Sequence, residues 1–152
     1  MYEKRRETGM IIAIAGDHGG FVLKTALCKH LKKRGFEVLD LGTDSQESVD
    51  YPQFGKACAE AVAGGEADRG IVVCGTGIGI SIAANKVRGI RCSLCTSVEM
   101  AELARKHNDA NMLALGGRTT SEEDAVKITD VWLDTEFEAG RHLRRVEMLN
   151  RM

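Results

Sequence analysis

The stretch GIVVCGTGIGISIAAN, residues 70–85, gives a clear indication of the fold of this chain. It opens with a short run without charged side chains that ends at Cys74, which is typical of a strand buried on both faces of a parallel sheet. The run leads into the loop GTGIG, residues 75–79, and small residues continue over the length of a short helix to Asn85. A strand, a tight glycine turn and a helix in this order indicate one βα unit of an α/β protein.

Units of the same kind occur on both sides of this stretch. Further apolar runs predict four more strands, at residues 10–15, 37–41, 90–95 and 112–115. Apolar residues at helical spacing predict further helices, at residues 21–34, 53–63, 97–107, 121–133 and 136–149. Thr-x-x-Glu patterns that begin at Thr96 and Thr120 predict capping boxes at the start of two of them. We therefore expect a single three-layer, doubly wound (Rossmann-like) α/β domain with a five-stranded parallel sheet.

This domain is expected to occupy residues 10–152. Residues 1–9, MYEKRRETG, are mostly charged and lack the apolar segment of a secretory signal, so we expect a flexible N-terminal extension there. No internal repeat, low-complexity tract or interdomain linker interrupts the remaining sequence.

Composition and charge exclude several classes of protein. The chain has 152 residues, with 21 Lys plus Arg against 22 Asp plus Glu, and its formal charge of −1 argues against binding nucleic acid or anionic membrane through overall electrostatics. An anion would have to be bound by a local group of residues. The apolar runs fall well short of the roughly 20 residues needed to cross a bilayer. Five scattered cysteines, an odd number, indicate reduced thiols and a cytoplasmic protein.

Unusual side chains follow two of the predicted strands. Asp17 and His18 follow the first strand, and Cys74 ends the third. In an open α/β sheet, ligands bind beside the carboxyl ends of the strands, so we expect these residues to face a binding site. His107 and Asn108 lie instead at the far end of a helix, and would reach that site only if their loop folds across it or belongs to another subunit.

The glycine loop after Cys74 is the strongest indication of a ligand. Gly75, Gly77 and Gly79 occupy alternate positions where a strand passes into a helix, so backbone N–H groups can converge on an anion at the helix N-terminus. Close packing of the strand and the helix is the alternative explanation for these glycines. A dinucleotide fingerprint would require glycine at Ile80, and no G-x-x-x-x-G-K-[ST] motif occurs, which disfavours NAD and P-loop nucleotides.

The cysteines differ in what their positions predict. The partial positive charge of the helix after Cys74 favours the thiolate form of that side chain, which could act as a base or nucleophile; a buried inert cysteine is the alternative. Cys92 and Cys95 have the spacing of a redox or zinc motif. Residues three apart in a strand point to opposite faces, however, so we assign both to the core.

Histidines and arginines give weaker indications by themselves. The four histidines show no H-E-x-x-H spacing and have no paired cysteines nearby, which argues against a metal site. Arg141 and Arg145 are four residues apart and share one face of the last helix. That arrangement fits either a solvated basic face or a phosphate clamp.

Several motifs occur together in the order and spacing of one known family. They are GDHGG at residues 16–20, DYP at 50–52, CGTGIGISIAANK at 74–86, HNDAN at 107–111 and GRH at 140–142. On these motifs the sequence resembles the type B ribose-5-phosphate isomerases, a family that includes galactose-6-phosphate isomerase, from Met10 to the C-terminus. The resemblance implies an aldose–ketose isomerase that moves a proton between C2 and C1 of a sugar phosphate through an enediolate, with no metal and no organic cofactor.

The resemblance also implies roles for individual residues in the chemistry. Cys74 matches the general base, and the amides of residues 75–79 match the oxyanion hole for the enediolate. His107, assisted by Asp17, matches the residue that opens the furanose ring, since the closed sugar has no acidic C2 proton. Glu99 is a second candidate for the base, because another branch of the family uses a carboxylate from a different loop.

Further residues match the contacts to the substrate. Four of them would line the sugar: Tyr51, Thr76, Ser81 and Asn108. Four others would bind the phosphate: His18, Arg118, Arg141 and Arg145. In similar proteins the last two arginines come from the partner subunit, so the resemblance implies a homodimer or a tetramer with shared active sites.

Three alternatives to a self-sufficient ribose 5-phosphate isomerase stay open. Ribose, allose and galactose phosphates differ by one carbon or one hydroxyl, so the substrate could be a six-carbon aldose phosphate, depending on pocket depth near residues 97–100. A phosphate- or nucleotide-binding regulatory module of the same fold would need no thiol base. A subunit of a heteromeric galactose-6-phosphate isomerase is the third alternative, although every matching position is filled here.

Overall fold

The computed structural model describes residues 9–152. Apart from Gly9, the expected N-terminal extension lies outside the described residues. Over the described range the structure contains the strands β1 (Ile11–Gly16), β2 (Glu37–Asp40), β3 (Arg69–Cys74), β4 (Cys92–Leu94) and β5 (Met112–Gly116). The helices are α1 (Phe21–Lys33), α2 (Tyr51–Ala63), α3 (Ile78–Asn85), α4 (Val98–Asn108), α5 (Glu122–Asp134) and α6 (Arg141–Asn150), and a 3-10 turn at His18–Gly20 precedes α1.

The strands form one parallel sheet in the order β2-β1-β3-β5-β4. The chain passes from β1 outward to β2 and then returns to β3 on the other side of β1, so the direction of connection reverses between β1 and β3. Such a switch point opens a crevice at the carboxyl ends of the two strands, where ligands bind in open α/β sheets. The prediction of a doubly wound parallel sheet is confirmed.

Helices cover both faces of the sheet, which makes three layers. On one face, α1, α4 and α5 pack over large strand residues such as Val73 and Leu115, together with the fully buried Trp132. On the other face, α2 and α3 pack over smaller residues such as Ala114. Because side chains alternate between faces along a strand, each strand contributes to both cores. Cys74 belongs to the second core, at the very end of β3.

Two helices begin one residue later than the capping patterns predict. Ser97 rather than Thr96 caps α4, where its hydroxyl accepts a hydrogen bond from the N–H three residues on. Ser121 rather than Thr120 caps α5 through the same kind of contact. A serine hydroxyl at this position satisfies one of the unpaired N–H groups at the helix start. The assignment of Thr96 and Thr120 as the caps is therefore wrong by one position.

Smaller differences concern the ends of two other elements. Helix α6 begins at Arg141 and not at residue 136, because an irregular connection precedes it in which Ala139 and Gly140 have φ of +57° and +54°. Strand β4 is shorter than its apolar run. Cys92 begins β4, and Cys95 follows the strand. The two side chains belong to the two opposite cores, as expected from their spacing.

The lengths of the helices can be compared with the length needed to cross a membrane. The longest helices, α1, α2 and α5, have 13 residues each. A membrane-spanning helix needs about 20 predominantly apolar residues. No helix within residues 9–152 combines the length and the apolar character that crossing a membrane requires.

Candidate active site

The crevice between β1 and β3 collects the residues that follow these two strands. Asp17 directly follows β1 and is buried, and its backbone N–H donates to the carbonyl of Val73 in β3 (3.2 Å). Its Oδ1 accepts hydrogen bonds from the N–H groups of Gly19 (2.9 Å) and Gly20 (3.2 Å), which hold the 3-10 turn in place. Cys74, only 5% exposed, ends β3. Asp17 and Cys74 therefore lie on the two sides of the switch point.

The loop after β3 requires glycine for two different reasons. Gly77 has φ of +81°, in the left-handed region that residues with a Cβ adopt at a cost. A Cβ on Gly79 would lie 2.5 Å from Cζ of Tyr51, so only glycine lets the tyrosine ring rest on the loop. Tyr51 is the first residue of α2 and is 39% exposed. It therefore forms a partly exposed wall beside the loop, and its role in lining the sugar stays a prediction.

Some amides of this loop have acceptors within the loop itself. The N–H of Gly77 donates to Sγ of Cys74 (3.2 Å), and the N–H of Ile78 donates to Oγ1 of Thr76 (3.2 Å). The first contact points a backbone N–H and the N-terminus of α3 at the sulfur, which suits a negatively charged sulfur. Two loop amides thus already have partners, so the oxyanion role stays a prediction for the remaining amides of residues 75–79.

The other four thiols are poorly suited to act as a base, because burial raises their pKa values. Burial raises the pKa of Cys58 to about 12 and that of Cys95 to about 11. The pKa values of Cys28 and Cys92 are also raised, again mainly by burial. These thiols stay protonated at neutral pH, which suits packing in the core rather than base chemistry. All five cysteines lie in the described part of the chain and are free thiols.

His18 and Arg118 supply donors beside the glycine loop. Nδ1 of His18 accepts a hydrogen bond from the N–H of Val49 (3.2 Å), so the proton of the neutral ring resides on Nε2. A Cβ on Gly75 would lie 3.1 Å from Nη1 of Arg118, and one on Gly19 would lie 3.4 Å from its Cζ, so the guanidinium rests directly against both turns. An N–H donor and a fixed positive charge in this position suit a phosphate group.

The positions of two other expected residues, Ser81 and Glu99, give weaker support for a role in the site. Ser81 is buried, and its hydroxyl donates to the carbonyl of Ile78 inside α3 (2.7 Å), so Oγ can offer a substrate only a lone pair. Glu99 is exposed in the first turn of α4, which follows β4. Strand β5 lies between β4 and β3 in the sheet. This separation favours Cys74 over Glu99 as the base beside the glycine loop.

A second set of expected residues lies at the opposite edge of the sheet. His107 and Asn108 end α4, which leads back to the start of β5. Arg141 and Arg145 are exposed on α6, which packs on α4. The rings of His107 and His142 stack, with centroids 4.2 Å apart and planes 15° from parallel. The start of α6 therefore lies directly beside His107.

Two arginines that the sequence did not single out hold this second set in place. Arg91 donates to the carbonyls of Asn108 (3.0 Å) and Asp109 (2.8 Å). Arg105, which is buried, donates to Oδ1 of Asp109 (2.8 Å) and to the carbonyl of Ala110 (2.9 Å). The loop after α4 is thus fixed from two sides. Most of these acceptors are backbone carbonyls, which carry no sequence signal, so reading the sequence could not have found the contacts.

The two sets of residues are too far apart to meet around one small ligand within one chain. Gly70 pairs with Met112 near the start of β3 and β5, and Cys74 pairs with Gly116 where both strands end. At about 3.3 Å per residue these two edges lie about 13 Å apart along the strands. His107 lies beyond the starting edge and Cys74 at the other, so a site that uses both would need two copies of the chain.

The match to known proteins covers nearly all of the same elements. A model of the ribose/galactose isomerase family matches residues 12–149, from β1 to α6. The chain belongs to the ribose/galactose isomerase family. The resemblance indicated by the sequence motifs is therefore confirmed, and an enzyme is favoured over the regulatory module.

Relatives within the ribose/galactose isomerase family match over almost their whole length. Ribose-5-phosphate isomerase B of Escherichia coli is 52% identical over 138 residues, which cover 91% of this chain and 93% of that protein. The structure of ribose-5-phosphate isomerase B from Clostridium thermocellum is 57% identical with a TM-score of 0.92, and the match covers 93% of this chain and 96% of that one. The enzyme from Mycoplasma genitalium, solved with bound ribulose 5-phosphate, is 42% identical with a TM-score of 0.89, over 93% of this chain and 94% of that one.

Proposed function

We propose that this chain is an aldose–ketose isomerase that interconverts ribose 5-phosphate and ribulose 5-phosphate. The observation that carries the proposal is the thiol of Cys74 at the switch point of the sheet, beside a glycine loop and the guanidinium of Arg118, in a member of the ribose/galactose isomerase family. The bound ribulose 5-phosphate in the Mycoplasma genitalium relative supports a five-carbon substrate.

The substrate phosphate binds at the mouth of the crevice. Nε2–H of His18 donates a hydrogen bond to it, and Arg118 supplies a charge-assisted contact. Arg141 and Arg145 of the partner subunit add positive charge from the other side. With the phosphate held in this way, the sugar carbons extend toward Tyr51 and the glycine loop.

Ring opening comes first, because the closed sugar has no acidic proton at C2. His107 of the partner subunit accepts the proton of the C1 hydroxyl and returns a proton to the ring oxygen, which breaks the C1–O bond and gives the open-chain aldehyde. Asp17, on the Cys74 side of the crevice, assists this step. The aldehyde then makes the neighbouring C2 proton acidic.

Isomerisation follows through proton transfer at Cys74. The thiolate takes the C2 proton, and the electron pair shifts through C1 to the carbonyl oxygen, which forms the enediolate. Amides of residues 75–79 that lack acceptors in the loop, together with Thr76, stabilise its negative oxygen. A proton moves from the C2 hydroxyl oxygen to O1, and the thiol proton is delivered to C1. The product is ribulose 5-phosphate, with C1 reduced and C2 oxidised.

The working unit is a homodimer, or a tetramer built from such dimers, with two subunits contributing to each site. This proposal rests on the position of Cys74 and His107 at opposite edges of the sheet. Helices on both sides of β4 also expose apolar side chains, including Ile78 (53%) and Ile82 (57%) in α3 and Met100 (43%) in α4. Large exposed apolar side chains are available there for a contact with a second subunit.

The unit is further proposed to work in the cytoplasm, with residues 10–152 as the isomerase domain. The five free cysteines suit a reducing compartment.

A substrate panel tests the proposed reaction. The chain is expected to form ribulose 5-phosphate from ribose 5-phosphate. Its kcat/KM for this substrate should be at least about tenfold above the values for allose 6-phosphate and galactose 6-phosphate. Tenfold is the lower end of the discrimination that a pocket achieves against one extra carbon. Release of ketose is followed for all three sugars at matched enzyme concentration. Absence of ribulose 5-phosphate would contradict the proposal, and a preference for a six-carbon sugar would reassign the substrate.

Replacing His107 with alanine separates ring opening from isomerisation. For ribose 5-phosphate we expect kcat/KM to fall by about a hundredfold, as for loss of a positioned acid–base group. A four-carbon aldose phosphate, which cannot form the furanose ring, should lose much less. The matched control is His30→Gln, since His30 contacts Asp130 (2.7 Å) on the α1–α5 side of the sheet. Equal losses on both substrates would remove His107 from ring opening.

A further inference from the structure

Three side chains that can bind a metal ion meet where α6 begins. Nε2 of His142 lies 3.9 Å from Oε1 of Glu138, four residues earlier in the chain, and its ring stacks on that of His107. One ligand atom from each of the three lies within 4.8 Å of the other two. Sequence spacing did not reveal the cluster, because its members come from two separate segments, the end of α4 and the start of α6.

Backbone hydrogen bonds place these residues together without any metal. The N–H of Glu138 donates to the carbonyl of Lys106 (3.1 Å), which ties the connection before α6 to the last turn of α4, next to His107. The N–H of His142 donates to the carbonyl of Ala139 (2.9 Å) and starts α6 close by. Ligand atoms of a tetrahedral zinc site lie about 3.3 Å apart, given bonds of about 2.0 Å. To close such a site, the side chains would have to turn out of their stacked arrangement and bring the ligand atoms closer together by up to about 1.5 Å.

The surroundings of this cluster suit a bound cation. The side chain of His142 is 12% exposed, and its pKa is lowered from 6.5 by desolvation and then by the nearby His107 and Arg141. A lowered pKa favours the unprotonated imidazole, which is the form that binds metal ions. The partial negative charge at the C-terminus of α4 favours a cation beside His107, and Glu138 supplies a full negative charge that offsets the positive charge of Arg141.

We propose that His107, His142 and Glu138 bind a divalent transition-metal cation such as Zn²⁺, and that the bound ion reversibly inhibits the isomerase. Two imidazole nitrogens and one carboxylate, with a fourth position left to water, form a donor set that Zn²⁺ favours, whereas Mg²⁺ and Ca²⁺ favour oxygen ligands alone. The ion occupies the lone pair with which His107 moves protons during ring opening. The geometry of the three side chains supports the binding of the ion, whereas its inhibitory effect rests on the proposed isomerase function.

Zinc affinity tests the site itself. The full chain competes for Zn²⁺ with a chromophoric chelator, in a Cys74→Ala background so that the active-site thiol does not bind the ion. Glu138→Gln and His142→Gln are each expected to weaken zinc binding at least about tenfold, as changes within a metal site do. Glu136→Gln, an exposed carboxylate two residues from Glu138, is the matched control and should leave affinity unchanged. Equal affinities in all of these proteins would overturn the site.

Inhibition is measured with Cys74 intact, relative to the zinc-free rate of each protein. Glu138→Gln and His142→Gln should raise the zinc concentration for half-inhibition at least about tenfold compared with Glu136→Gln, matching the loss of affinity. A chelator should restore the rate. No inhibition at zinc concentrations that saturate the site would overturn the inhibitory part. An inactive zinc-free enzyme would instead contradict the proposed isomerase function. The affinity measurement would still test the metal site in that case.

Discussion

Replacing Cys74 with alanine is expected to lower kcat for ribose 5-phosphate by about a thousandfold, within the roughly 10²–10⁴-fold that a positioned acid or base contributes. KM should change little, because the thiol meets the C2 proton during the reaction whereas other groups bind the phosphate. Steady-state kinetics with detection of ribulose 5-phosphate gives both constants. The effect should reside in the chemical step and not in substrate binding.

Two control variants make this result specific. Cys58→Ala removes another buried thiol of the same core, one whose pKa of about 12 keeps it protonated, and should retain nearly the full kcat. Glu99→Gln removes the alternative base and should likewise retain activity, since β5 separates the strand before Glu99 from β3. Circular dichroism and thermal unfolding verify that each variant folds. A Cys74→Ala enzyme with a tenth or more of the wild-type kcat would contradict the assignment of the base.

Local sequence patterns were enough to predict the fold. The apolar run that ends at Cys74 and the glycines after it specified a buried strand and a turn, and the same alternation along the chain specified the parallel sheet. The position of Asp17 and Cys74 at one crevice followed from the rule that ligands bind at carboxyl ends of strands. Both features depend on residues close together in sequence.

These local patterns could not predict contacts between segments that are distant in sequence. Sequence alone did not indicate that Arg91 and Arg105 fix the loop after α4, because their main acceptors are backbone carbonyls. It also did not indicate that His142 lies against His107, because 34 residues lie between them in the chain and their stacking depends on how α6 packs on α4. The capping pattern failed by one position at Ser97, where two neighbouring hydroxyl residues could each have served as the cap.

A shared active site predicts that two strongly impaired variants restore each other. Cys74→Ala damages the edge of the sheet that carries the thiol, and His107→Ala damages the opposite edge. In a two-fold dimer of one chain of each kind, one site receives both defects, while the other combines the intact Cys74 of one subunit with the intact His107 of its partner. That second site is equivalent to the wild-type site.

The size of the recovery follows from counting sites. If chains exchange at random in an equal mixture, about half of the dimers are hybrids and each hybrid has one intact site of two, so activity should reach about a quarter of the wild-type value. If each site instead used residues of a single chain, every site in every dimer would carry one defect.

The most direct measurement is therefore the ribose 5-phosphate isomerase activity of an equal mixture of Cys74→Ala and His107→Ala chains, dissociated and reassembled, with hybrid dimers verified by native mass spectrometry. Recovery to about a quarter of the wild-type activity is the result that a shared site predicts. A mixture that contains hybrid dimers and yet stays as inactive as the two parent variants would contradict it.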